Sequence, residues 1–89
     1  MEISRFQGAN KMRDVIKLYI DNCGPCMAVT NKLNNLNIPH TDMLVNEKVA
    51  EHFGIRSVPV LVFLEDGVEV GRLAGMASDA DIEKMYKGE

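Results

Sequence analysis

The chain has 89 residues, enough for one domain with one modest core and not for two. Apolar residues make up 46% and charged residues 26%, the balance of a folded domain rather than of a disordered segment. A net charge of −3 with no basic run is unsuited to nucleic acid, and the longest apolar stretch, residues 58–64, is far too short to span a bilayer.

Residues 1–13 carry no clear period. Residues 2–6 suit a short strand, but the segment is too short for a further crossover. Val15-Ile16-Lys17-Leu18-Tyr19-Ile20 is β-rich and almost continuously apolar, which predicts a strand covered on both faces. Asp21-Asn22 ends it. A helix is expected from about Cys23 to Asn35, with Cys26, Val29, Leu33 and Leu36 on one face. Asn34, Asn35, Asn37 and Pro39 stop it. Residues 40–45 form a weaker strand, interrupted by Asp42. Asn46 can cap a short helix with Val49, Ala50 and Phe53 inward and Gly54 at its C-terminus. Residues 58–64 are the strongest strand of the chain. Glu65-Asp66-Gly67 makes a hairpin turn, since Asp-Gly readily adopts positive φ, and residues 68–73 return beside it. Ser78 caps a final helix whose Asp79 and Asp81 favour its positive end and whose Ile82, Met85 and Tyr86 face inward. This order predicts an α/β fold in a single domain over residues 1–89: a central four-stranded mixed sheet flanked by about three helices.

The first six residues lack the basic start and apolar middle of a secretory signal, so a cytoplasmic location is expected. That bears on the cysteines. There are only two, Cys23 and Cys26, too close in the chain to staple loops together. In a reducing compartment such a pair is redox-active or part of a metal site. A four-cysteine zinc site needs a second pair, which the sequence lacks; two ordinary cysteines at a helix start, or half of an intermolecular metal site, are the plainer alternatives. Cys23 falls at the tip of the predicted helix, where unpaired amides and the helix dipole favour a thiolate over a thiol. It is the candidate nucleophile. Cys26, one turn on and pointing inward, is the candidate resolving thiol. Gly24 leaves room for a substrate backbone, and Pro25 is tolerated in a first helical turn.

Cys23-Gly24-Pro25-Cys26 matches, in all four residues, the active-site tetrapeptide of the thioredoxin family. Gly54-Ile55-Arg56-Ser57-Val58-Pro59 resembles that family's loop ending in a cis-proline. Glu65-Asp66-Gly67-Val68-Glu69-Val70-Gly71 resembles its late hairpin, and Leu73-Ala74-Gly75 the glycine beside its active site. The resemblance covers roughly residues 14–87. It implies a thioredoxin-like fold with a trimmed N-terminal unit, and a dithiol chemistry with no bound cofactor and no metal. It also implies a cis Val58–Pro59 bond packed against the cysteines, the alternative being a trans proline opening a strand. The substrate-facing surface carried over with it comprises Gly24, Pro25, Val45, Ser57, Val58, Pro59, Gly75 and Met76.

Three departures stand out. Thioredoxins place a tryptophan before the first cysteine; here Asn22 takes that place and the chain has no Trp, which narrows the expected substrate contact. The stretch from Cys26 to Pro59 is short, as in glutaredoxins and the small thioredoxins of phages and archaea. Finally, the family buries an aspartate six residues before the first cysteine, with a lysine on the next strand. Here that position is Lys17 and the facing candidate is Asp42, so the pair looks swapped. Lys17 and Asp42 are then supports of the active site; alternatively each finds water at a sheet end, Lys17 by snorkelling. His40 and His52 have no spacing that ties them to the cysteines.

The function this implies is reduction of protein disulfides through a mixed-disulfide intermediate, by a monomer recharged by a flavoprotein thioredoxin reductase. A glutathione-linked glutaredoxin and a binding subunit without turnover are the alternatives. No lysine or arginine lies within five residues of the tetrapeptide, which disfavours glutathione, and retention of Cys26 disfavours a mere clamp.

Overall fold

The computed structural model describes residues 12–88. The strand expected at residues 2–6 lies outside them. Seven elements follow one another: β1 (Asp14–Tyr19), α1 (Gly24–Asn35), β2 (Thr41–Leu44), α2 (Glu47–Phe53), β3 (Val60–Glu65), β4 (Val68–Ala74) and α3 (Asp79–Lys87). The four strands make one mixed sheet in the order β2-β1-β3-β4. β1 pairs parallel with β2 across the α1 crossover, and antiparallel with β3; β3 and β4 form the hairpin.

The central strands are the ones with continuous apolar runs, because each of their faces meets a helix. On one face Val15, Leu61 and Phe63 pack with Val29 and Leu33 of α1, Ile38, and Ile82 of α3. On the other, Leu18, Val60 and Val62 pack with Ile16, Met43, Val49 and Phe53, so α2 covers that side. Strand alternation therefore directs Val15, Lys17 and Tyr19 toward α1, and Ile16 and Leu18 toward α2.

Local chemistry sets the element ends. The Asn46 side chain accepts the Val49 N–H at 2.9 Å and caps α2, and Gly54 closes that helix in the left-handed region (φ 67°). Asp66 (φ 52°) and Gly67 (φ 83°) make the tight hairpin turn. The ladder shifts register after Phe63, which faces Gly71, to Leu64, which faces Glu69; Val70 is the extra residue of the bulge. β3 begins at Val60, later than the apolar run starting at residue 58, because Pro59 has no N–H to give the ladder. β2 is only four residues long and is an outer strand among the described ones, with mostly exposed side chains, which accounts for its weak sequence signal. Among the described residues no helix is long and apolar enough to cross a membrane.

Candidate active site

Cys23 is the N-cap of α1. Its backbone is extended (φ −110°, ψ 107°), and its Sγ accepts the Cys26 N–H at 3.1 Å. The Cys23 carbonyl then takes the Met27 N–H at 3.2 Å, the first helical bond. The sulfur thus occupies the place of a capping oxygen, facing orphan amides and the positive end of the dipole, where negative charge is stabilised. Gly24 and the first-turn Pro25, between the two cysteines, are both exposed. Cys26 is 2% exposed, on the same inward face as Val29 and Leu33, while Cys23 is half-buried. The two sulfurs form a disulfide, with Cα atoms 5.2 Å apart. The pair therefore has an outer and an inner member, set by one helical turn.

Asn22, immediately before, is exposed and has φ 58°. Asparagine tolerates the left-handed region better than most residues, and an aromatic side chain does so poorly. The backbone turn into Cys23 gives this residue a conformational reason beside any contact with substrate.

A polar chain runs from Cys26 into the sheet. Thr30, one turn further along α1, donates its hydroxyl to the Cys26 carbonyl at 3.2 Å and accepts a hydrogen bond from Lys17 Nζ. Lys17 is 5% exposed. Its Nζ is 3.3 Å from Asp42 Oδ1 and 5.3 Å from the centre of the Tyr19 ring. The parallel register of β1 and β2 sets Lys17 opposite Asp42. His40 closes the chain: Nε2 is 3.3 Å from the same Asp42 oxygen, and Nδ1 is 3.1 Å from the Ile38 carbonyl. Asp42 is half-exposed, so its carboxylate keeps contact with water while the lysine does not. Lys17 is thus enclosed and paired rather than snorkelling. Neither spacing nor composition ties Thr30 or His40 to the cysteines; the packing of α1 on β1 and the β1–β2 register bring them in. His52 is exposed and stacks edge-on with Phe53, away from this chain of contacts.

The remaining candidates gather at the same end of the sheet. Leu18 pairs with Val60 and Val60 with Ala74, so the loop to Cys23, Pro59 and Gly75 all emerge there. The Val58–Pro59 bond is cis, and Pro59 is buried. The Pro59 carbonyl accepts the Gly75 N–H at 2.8 Å, which draws the Gly75-Met76 turn against this loop. Val45 joins through its N–H to the Tyr19 carbonyl at 2.8 Å. Val45, Ser57 and Val58 line a hollow of about 180 Å³ with Ile20, Ile55 and Arg56. Met27 and Met76 are 69% and 55% exposed. Among the described residues no three His, Cys, Asp or Glu side chains converge as a metal site.

Comparison with known proteins agrees with this geometry. The family profile for Thioredoxin matches residues 4–88. The chain belongs to the thioredoxin family. It is 42% identical over 76 residues to the SPbeta prophage-derived thioredoxin-like protein YosR of Bacillus subtilis (strain 168), covering 82% of this chain and 94% of that protein. It is 33% identical over 69 residues to a thioredoxin of Chlamydia pneumoniae, covering 70% of this chain and 68% of the other. The crystal structure of oxidised mitochondrial thioredoxin 3 of Saccharomyces cerevisiae superposes with a TM-score of 0.72 at 25% identity, over 86% of this chain and 78% of that one. The thioredoxin-like α/β fold expected from the sequence is the fold observed. With its cysteine pair, this member of the family is a protein thiol–disulfide oxidoreductase.

Proposed function

We propose that the protein is a protein-disulfide reductase in which Cys23 attacks and Cys26 resolves. The observation that carries the assignment is the asymmetry of the pair: Cys23 caps α1 and accepts the Cys26 N–H, while Cys26 is enclosed one turn below. In the reduced protein the Cys23 thiolate attacks one sulfur of a substrate disulfide. That bond breaks, the first substrate thiolate leaves and takes a proton, and a mixed disulfide joins Cys23 to the substrate. Cys26 then gives up its proton and its sulfur attacks Cys23 Sγ. The mixed disulfide breaks, the second substrate sulfur departs as a thiol, and the Cys23–Cys26 disulfide forms. The substrate gains two electrons and the pair loses them; an external two-electron reductant restores the dithiol.

Gly24, Pro25, Asn22, Val45, Ser57, Val58, Pro59, Gly75 and Met76 are the proposed docking surface, supported by their convergence at one sheet end. Lys17 and Asp42 support the resolving step. The protein works as a single-domain monomer in the cytoplasm, recharged by a flavoprotein thioredoxin reductase. A glutathione-linked reading gains one observation: Arg56 lines the hollow and has no ion pair among the described residues, so it is open to a ligand carboxylate. Two measurements test these assignments. Limiting iodoacetamide below neutral pH should label Cys23 in the reduced protein, and preferential labelling of Cys26 reverses the roles. In coupled assays, NADPH with thioredoxin reductase should sustain insulin reduction; turnover only with glutathione and its reductase selects the second reading.

A further inference from the structure

A buried lysine, Lys17, stands beside the helical turn of Cys26, the proposed resolving thiol. A lysine there can act as a base that takes the thiol proton, or as a fixed cation that lowers the cost of the thiolate. The surroundings of Nζ discriminate between the two. It faces the Thr30 hydroxyl oxygen, the Asp42 carboxylate and the face of the Tyr19 ring, all three electron-rich. An ammonium has three hydrogens, one for each. A neutral amine would have to turn its lone pair toward one of them. Thr30 adds a direction. Its single proton goes to the Cys26 carbonyl, so its oxygen is left to accept from Lys17. A threonine inside a helix often bonds the carbonyl four residues back for purely local reasons. Here the same hydroxyl also carries the lysine, which a local bond does not require.

We infer that Thr30 is a positioning residue for the resolving step: it holds Lys17 as an ammonium against the Cys26 turn, where the cation stabilises the attacking thiolate of Cys26 without accepting its proton. The inference rests on the dithiol reading above. In the balanced step the Cys26 proton ends on the leaving substrate sulfur or in solvent, and Lys17 is unchanged. Asp42, with His40 behind it, fixes the outer side of the same ammonium. Thr30→Val keeps the shape of the side chain and removes the hydroxyl, freeing Lys17 to lean toward Asp42 and water.

The test uses the reduced full chain and a chromogenic aryl disulfide, which releases one aryl thiolate on attack by Cys23 and a second on resolution by Cys26. Thr30→Val should leave the first release unchanged and slow the second about tenfold, the scale of one hydrogen bond to a charged group. Thr30→Ser, which restores the hydroxyl, should recover most of the wild-type rate. Equal second-step rates in wild type and Thr30→Val overturn the positioning role, as does a Thr30→Ser rate no better than that of Thr30→Val. In ¹⁵N-lysine-labelled reduced protein at neutral pH, Lys17 should give an ammonium signal; a neutral amine signal overturns the cation. A Cys26→Ser protein that still releases both aryl thiolates and accumulates no mixed disulfide by mass spectrometry overturns the dithiol reading itself and the inference with it.

Discussion

Lys17 is a cation almost without access to water, and its partners replace only part of its hydration. Buried ion pairs of this kind add little net stability, because desolvation offsets most of the attraction. Lys17→Met fills the same volume without that cost, and Asp42 is exposed enough to return to water. The expected outcome is a dissociation of stability from activity: an unchanged or raised urea midpoint, with slower release of the second thiol in the aryl disulfide assay. A midpoint lowered together with the rate would mark Lys17 as structural. Asn22 gives the opposite case, where backbone conformation rules. At φ 58°, Asn22→Gly should keep full stability, whereas Asn22→Trp should cost about 1–2 kcal/mol in urea unfolding, although tryptophan is the residue the family resemblance puts there. At this scale the cysteines and Pro59 were legible, because chemistry and spacing within a few residues define them. Lys17 and Asp42 were legible as a pair only through the resemblance. Thr30 and His40 were not, because their contacts depend on how α1 crosses β1 and how β1 registers with β2.

Among the elements, β4 is an edge strand whose Val68 and Val70 are exposed, and it is tied down by one arginine. Arg72 donates to both oxygens of Glu69, at 2.6 and 2.7 Å, and to the Phe53 carbonyl at the end of α2, at 2.7 Å. The guanidinium therefore also meets the negative end of the α2 dipole. Its hydrogen bonds hold the Glu69 carboxyl below the ordinary value of 4.5, with burial opposing the shift and the opposite charge adding to it. A depressed carboxyl stabilises the fold above its unfolded value and loses that contribution as pH falls through the lower folded value. Wild type should accordingly lose more stability than Glu69→Gln on acidification below pH 4.5. Because both groups are about one-third exposed, the difference should stay below about 1 kcal/mol. Urea melts of the two proteins at matched acid pH measure it, and parallel losses in both would dismiss the pair. The elements themselves were readable from apolar period, Asn46, Ser78 and the Asp-Gly turn. Their ends were less so: the bulge at Val70 leaves no mark in the alternation, and the ladder starts at Val60 because of what Pro59 lacks.

At the scale of the whole molecule, the described residues form two small clusters on a sheet of four strands, and the one on the α1 side holds the larger buried side chains. Among the described residues Phe63 is the largest fully buried side chain, and it belongs to the α1–α3 cluster. Phe63→Ala should cost about 3–5 kcal/mol, a large share of the 5–15 kcal/mol typical of a domain. Denaturant unfolding should show an early midpoint or no cooperative transition; a loss under about 1 kcal/mol would mean that the clusters repack freely. The mixed sheet was foreseeable from strands alternating with helices and then a hairpin. The gathering of Val45, Pro59 and Gly75 at one sheet end was foreseeable only once the family pattern was seen, since those residues lie far apart in the chain.

The opposition of Lys17 and Asp42 across parallel strands also constrains how such a chain can change over generations. Reversing either charge alone sets two like charges face to face, one of them shut away from water. Reversing both restores attraction and yields the arrangement with the acid on the first strand. A lineage moving between the two must therefore pass through a neutral side chain at position 17 or 42, or change both together. Across relatives, the product of the two charges should be conserved more strictly than either residue.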